Sequence, residues 1–263
     1  MSKEDPNTLD YTTPLYISHR LLMQGHNKDT LSATGTFVRF KGLHYVVTCR
    51  HVLALADHSK HFNLSIVVDR IHFGLSNIIG PGPAVSSFRT PLDESGAHQI
   101  DVSISPVDHA WGHIIQVKGK KAVDLDSWTE PDWAKISTAF ACGWLNKKDQ
   151  TDTKIITTGI HVYAELRSKL SQNDPQFTMH SETGKPDGIS LSGLSGGLIH
   201  TTKEQGEIPF GIVFEGYPGD QLEHAFLKPG DIMVRGHLLT PQIFQNWFVQ
   251  SKMEINANGE PIV

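Results

Sequence analysis

Two cysteines, Cys49 and Cys142, are all that this chain of 263 residues contains, and each sits inside an apolar run. A scaffold held by a disulfide network is thereby excluded. A pair of buried free thiols in a reducing compartment is expected instead. No apolar run approaches the roughly 20 residues that cross a bilayer as a helix. The N-terminal Met1-Ser2-Lys3-Glu4-Asp5-Pro6 is polar and lacks the apolar centre of a secretory signal. A soluble, cytoplasmic protein without a membrane partner is expected. Positive charge is also scarce: 23 Lys and Arg stand against 28 Asp and Glu, for a formal net charge of −5. That balance leaves no electrostatic footprint for nucleic acid. His-Glu-x-x-His, paired Cys-x-x-Cys, phosphate loops and dinucleotide fingerprints are all missing. His44 and His51 are separated by six residues and match no metal-site pattern, so neither a metal nor a cofactor is expected.

Helical periodicity is equally rare. Short segments rich in β-branched and aromatic residues recur at 35–47, 62–68, 85–89, 102–107 and 114–117, broken by Gly, Pro and Asp. They resume at 136–144, 155–166, 177–180, 197–201, 210–214, 225–227 and 232–238. After residue 60 only Thr240 to Phe248 reads as a strong helix. Thr240 suits the N-cap, Pro241 the first turn, and Ile243, Phe244, Trp247 and Phe248 share one face. An all-β sandwich or barrel architecture with a C-terminal helix follows. Trp128, Pro131 and Trp133 mark a polar connector between two halves. The expected division is an N-terminal extension (1–30), a first β unit (31–128), a second with the helix (129–253), and a loose tail (254–263). The charged run 146–154 reads as an exposed hairpin loop.

The most informative stretch is Gly193-Leu194-Ser195-Gly196-Gly197. Glycine reaches backbone angles closed to other residues and permits close approach of another chain. A nucleophilic serine needs that setting, with its hydroxyl clear of the sheet and N–H groups aimed where negative charge develops. The N–H groups of Gly193 and Ser195 are the candidate oxyanion hole. By itself a Gly/Ser turn between two strands accounts for the stretch equally well. Two further residues add weight. His51 follows a strand ending Val46-Val47-Thr48, and a neutral imidazole is the usual proton acceptor for a serine. Asp101 opens an alternating strand, Ile100 to Ser105, and a carboxylate entering a core needs a partner such as a histidine N–H.

In the order His51, Asp101, Ser195, these motifs resemble the trypsin-like (chymotrypsin-fold) serine peptidases. Gly35 to Val52 resembles the family's strand, strand, histidine block, and Asp101 to Ile104 its aspartate strand. Phe140 to Trp144 resembles the first strand of the second barrel, and Gly211 to Gly216 the strand after the serine. The resemblance covers roughly residues 30–250. It implies two six-stranded antiparallel β-barrels with a site in the cleft between them, and a polypeptide substrate. It also implies Ser195 as nucleophile, His51 as general base, Asp101 as the group holding its tautomer, and Gly193 and Ser195 as oxyanion donors. Phe214, Glu215 and Gly216 would pair with the substrate chain.

Departures from the family pattern carry information too. Leu194 stands where secreted members have an aspartate that pairs with a newly cleaved N-terminus, so no such activation step is expected. Val52 follows the histidine where those members have a cysteine, and Phe214 replaces a serine that contacts the aspartate. The pattern is closer to compact bacterial and intracellular members resembling the HtrA-like peptidases, without a PDZ domain. Ile189, six residues before Ser195, suggests an apolar or small primary pocket, with Phe226 and Asp187 nearby, and Glu215 offers charge further along. Two further readings stand beside catalysis: a protease latent until a partner orders its oxyanion hole, and a catalytically silent peptide-binding module. The α/β-hydrolase elbow Gly-x-Ser-x-Gly is also satisfied, with Asp220 or Asp231 and His237 after it. Leu198 to Thr202 is β-like, however, where that fold needs a helix.

Overall fold

The computed structural model describes residues 8–18, 31–57, 63–68, 71–74, 76–77, 85–86, 89–91, 100–107, 109–148, 155–182, 191, 193–218, 230–251, 253–255 and 261–262. The first half is built on β1 (Thr12–Ser18), β2 (Leu31–Phe40), β3 (Leu43–Thr48), β4 (Asn63–Val68) and β5 (Ile71–Gly74). A small ribbon follows, β6 (Ser76–Asn77) with β7 (Val85–Ser86), and then β8 (Ser103–Val107) and β9 (Val123–Asp124). Seven of these strands form one sheet in the order β5-β4-β1-β2-β3-β8, with β9 joined to β2. The hairpin expected around Lys41-Gly42 is present. Both residues take positive φ, 51° and 75°, which Gly42 adopts without a side-chain penalty. The apolar patch at Leu15-Tyr16-Ile17, expected within an N-terminal extension, is the middle of β1, which pairs with β2 on one edge and β4 on the other.

In the second half β10 (Thr138–Lys148), β11 (Ile155–Leu166), β12 (Gln176–Glu182), β13 (Leu198–Thr201), β14 (Pro209–Pro218) and β15 (Asp231–Leu238) close into an antiparallel barrel. Period-two alternation fills it: Ala139, Ala141, Val162, Ala164, Phe177 and Met179 are buried on alternate positions. Closure removes sheet edges, and Gly211 and Gly236 leave room for the Phe177 ring, which meets that of Phe210 at 5.6 Å. The strand expected at 225–227 lies outside the described residues, as do 149–154 of the expected exposed loop.

Three α-helices are present among the described residues. α1 (Arg50–Asp57) follows β3 directly, α2 (His109–Val117) follows β8, and α3 (Pro241–Gln250) follows the last barrel strand. The strand expected at 114–117 is α2 instead. Ile114 and Val117 are 41% and 70% exposed, whereas Ile115 is buried beside Val107. A one-sided helical packing with Gly112 against the His44 ring has overridden β-branched propensity, and a four-residue window is too short to show a period. α3 forms as expected: Thr240 Oγ1 accepts the Ile243 N–H at 3.2 Å, with Pro241 in the first turn. Its buried face crosses back to the first half, where Phe244 packs edge-on against Phe40 at 5.1 Å and Tyr45 at 5.6 Å. That contact joins the halves through one continuous core. The tail expected to be loose contains a short pair, β16 (Glu254–Ile255) with β17 (Pro261–Ile262).

Candidate active site

The end of β3 turns within two residues into α1, so His51 stands at the rim of the first sheet, its side chain 46% exposed. β8 lies antiparallel against β3, with Thr48 opposite Ser103, and this brings Asp101 to the same end. Its carboxylate grips His51 twice. Oδ1 accepts the backbone N–H at 2.9 Å, and Oδ2 lies 2.6 Å from the ring Nδ1. One side chain therefore fixes both the main chain and the imidazole. A proton on Nδ1 facing the carboxylate leaves Nε2 as the basic nitrogen. Burial opposes the Asp101 charge, but the hydrogen bonds and charge of His51 outweigh it and hold the carboxyl below its usual range.

Ser195 sits in a tight turn between Leu191 and β13, closed by Leu194 N–H to Leu191 O at 3.0 Å and Gly197 N–H to Leu194 O at 2.9 Å. Gly193 and Gly196 have φ of 101° and 88°. At Gly196 a Cβ would stand 1.9 Å from Thr34 O, so only glycine fits there. Among the described residues neither the Gly193 nor the Ser195 N–H donates to a backbone carbonyl.

The first sheet reaches across and holds this turn. Thr34 N–H donates to Ser195 O at 2.9 Å, Thr34 Oγ1 to Gly193 O at 2.7 Å, and Thr36 Oγ1 to Gly196 O at 2.7 Å. Thr34 Oγ1 also accepts the Trp144 N–H, and Thr48 Oγ1 donates to Thr34 O. All three threonines are fully buried. A second bridge is the Val213 carbonyl, which accepts the Cys49 thiol at 3.1 Å and the Gly196 N–H at 2.8 Å. The histidine segment and the serine turn thereby share one acceptor. Sequence reasoning missed this clamp. Its one legible sign is a pair of hydroxyls at alternating positions 34 and 36 of β2, each of which needs a partner once buried.

The Ser195 hydroxyl donates to Phe214 O at 3.4 Å, and the described hydrogen bonds of His51 all go to Asp101. Phe214 is a bulge on β14: Val213 pairs with Gly236 and Glu215 with Arg235, which leaves Phe214 between them. Its ring is buried 4.4 Å from that of His237. Among the described residues, β14 beyond Val213 is paired with β15 on one edge only, because β13 begins at Leu198 and the backbone bonds of the serine turn reach only Val213. Glu215 is bound to Arg235 at 2.9 Å, so its charge is already partnered. Gly216 faces Leu191 and Leu194. Ile189, Asp187, Asp220 and Phe226 lie outside the described residues.

Both cysteines are free and buried, as expected. Burial pushes the Cys49 thiol well above its ordinary value, which makes it a poor nucleophile despite its nearness to His51. Two groups have donor atoms within 4.8 Å of one another and could hold a metal: Cys49, His51 and Asp101 here, and Cys142, His161 and His200 on the second barrel.

A closed six-stranded antiparallel barrel, a second sheet beside it and a helix packed across both define the chymotrypsin fold. No family model and no curated protein matches the chain. Among solved structures, the chain is similar to neuropsin, a serine protease of the mouse brain, at TM-score 0.50 and 13% identity over 94% of this chain and 96% of that one. A thermostable serine protease, AL20, from an extremophilic microorganism gives 0.49 at 14% identity, over 92% and 97% of the two chains. Protease Anisep from Arthrobacter nicotinovorans gives 0.48 at 12%, over 92% and 96%. At 13% identity the likeness to neuropsin speaks for the fold alone. No helix among the described residues is long and apolar enough to cross a membrane.

Proposed function

We propose that this protein is a serine endopeptidase working through His51, Asp101 and Ser195. The observation that carries this reading is the double grip of Asp101 on His51, with Ser195 tied through Val213 to the segment that bears the histidine. Ser195 Oγ attacks the scissile carbonyl carbon while its proton passes to His51 Nε2. Asp101 keeps the other ring proton on Nδ1 and stabilises the imidazolium. The N–H groups of Gly193 and Ser195 take the oxyanion. Collapse breaks the C–N bond as His51 returns its proton to the leaving amine. Water, deprotonated by His51, then hydrolyses the acyl-enzyme. The substrate chain adds as a strand along the edge of residues 214–216, where β14 has no second neighbour among the described residues.

At rest the serine hydroxyl is engaged by Phe214 O. Attack requires its rotation to His51, and we assign to the arriving substrate or to an activating partner the task of favouring that rotamer. Leu194 is fully buried among apolar groups, which supports an enzyme without a cleavage-dependent ion pair. That feature and two free cysteines also favour a compact, disulfide-free, cytoplasmic type. A silent binding module is disfavoured because such a module does not need the carboxylate–imidazole pair of Asp101 and His51.

The test is reaction of the purified protein with a fluorophosphonate probe, with the adduct mapped by mass spectrometry beside Ser195→Ala and His51→Ala. Labelling confined to Ser195 and lost without His51 is expected. No adduct on Ser195, with or without a peptide mixture, would sink the proposal.

A further inference from the structure

Outside the cleft, three strands of the second barrel place metal-binding side chains side by side. Cys142 on β10 stands directly opposite His161 on β11, and His200 on β13 is two residues diagonal to Cys142, since Phe140 pairs with His200 and Cys142 with Leu198. Opposed and diagonal neighbours on one face of a sheet are within side-chain reach. One donor atom from each lies within 4.8 Å of the others. We propose that Cys142, His161 and His200 bind one Zn²⁺ ion, with the fourth coordination position open.

His200 gives the strongest indication. It is 3% exposed, and its Nδ1 lies 2.8 Å from the Thr201 carbonyl, which fixes that nitrogen as the N–H donor. The remaining nitrogen, Nε2, carries the lone pair, is buried, and has no partner. Burying an imidazole acceptor unpaired is costly. Donation of one ring N–H to a backbone carbonyl while the other nitrogen binds an ion is the usual arrangement of a ligating histidine. The Phe140 ring, stacked on it at 5.5 Å, sets its plane. A thiolate with two imidazoles is a donor set suited to zinc, and three protein ligands with an open fourth position is a recurrent zinc geometry. Both histidines line a cavity of about 470 Å³, which supplies an entry path and room for a water ligand. The donors already lie within 4.8 Å of one another, and final adjustment to tetrahedral spacing falls to His161, the exposed member of the three.

Loading replaces the Cys142 thiol proton by the ion and releases that proton to solvent. It also frees the Thr8 carbonyl, which accepts the thiol at 3.8 Å, while the Thr8 hydroxyl lies 2.6 Å from His161 Nε2. The ion would staple β10, β11 and β13, the last being the strand that leaves the serine turn.

The test uses metal-free, reduced full-length protein titrated with Co²⁺ and then Zn²⁺. The thiolate-to-cobalt charge-transfer band is read optically, and bound zinc is counted by native mass spectrometry. One equivalent with a thiolate band is expected. The band should vanish in Cys142→Ser, and affinity should fall in His161→Ala by more than the roughly 10–100-fold typical of losing an outer-shell partner. Both should persist in His51→Ala, which breaks the cluster in the cleft. Should Cys142→Ser fail to fold, His161→Ala, altered at an exposed side chain, decides alone. Absence of a thiolate band in the parent protein, unchanged binding in His161→Ala, or loss in His51→Ala each overturns the proposal. None of these readouts depends on proteolysis.

Discussion

In the second barrel six strands close on themselves, and the turn that carries Ser195 is set by two glycines at positive φ and a Leu191–Leu194 bond within its own chain. The first sheet follows an open path from β5 to β8, and its two site residues are held by each other. His51 depends on Asp101 for both its backbone and its ring. Ser195 depends on backbone shape and on threonines from the opposite half. A nucleophile tolerates no displacement, so rigid backbone serves it. A base must move protons, and a side-chain pair at a partly exposed rim serves that.

Several substitutions break this contrast, the largest first. Asp101→Asn should lower turnover by about 10⁴-fold, because it destabilises the imidazolium and the tautomer that leaves Nε2 basic. Peptide hydrolysis measured beside an unchanged circular dichroism spectrum checks it, and a drop below tenfold would dismiss Asp101 as the orienting group. Gly196→Ala should act on structure: a Cβ 1.9 Å from Thr34 O at φ 88° cannot be accommodated. A loss on the order of 3–5 kcal/mol, or failure to fold, is expected in denaturant unfolding. Gly42→Ala is the control, since φ is 75° but nothing lies within 4 Å of the added Cβ, and it should cost only about 1 kcal/mol.

Thr34→Val keeps the shape of the clamp but removes the hydroxyl that donates to Gly193 O and accepts from Trp144 N. It should cost about 1–3 kcal/mol of stability and lower kcat more than it raises KM, because the donors it positions act on the transition state. Equal loss in a serine-free binding assay would show that the clamp only shapes the substrate groove.

A gradual effect concerns acid. Burial lowers His200 and His237 to about 4 from 6.5. Between those values the unfolded chain takes up protons that the folded chain refuses, so stability falls as pH falls from 6.5 toward 4. The slope should amount to a few kcal/mol in total. His237→Phe, beside the Phe214 ring, should flatten it. Asp101 works at lower pH: its depressed value stabilises the fold above the ordinary carboxylate range, and that contribution is lost as pH falls through the folded value.

Much of the architecture was legible because it rests on local chemistry. Alternating residues at 155–166 gave β11, the Thr240-Pro241 cap gave the start of α3, and the glycines around Ser195 gave the turn. The grouping of His51 with Asp101 was legible only through the order of motifs that resemble a known family, since no local rule pairs residues 50 positions apart. α2 was misread because a four-residue window carries no period, and Ile115 is buried in a cluster with Phe37, Val46 and Val107 from distant strands.

By itself, then, the sequence determined the periods, breakers and caps that make a β-rich chain with a glycine-set serine turn, because those are properties of neighbouring residues. Tertiary structure alone decided that Thr34, Thr36 and Val213 lock the two halves together and that the serine hydroxyl rests on Phe214. It alone brought Cys142, His161 and His200 onto one face. Each of these arises from strand register across long separations, and register is fixed by packing and closure of the sheet rather than by the residues on either side.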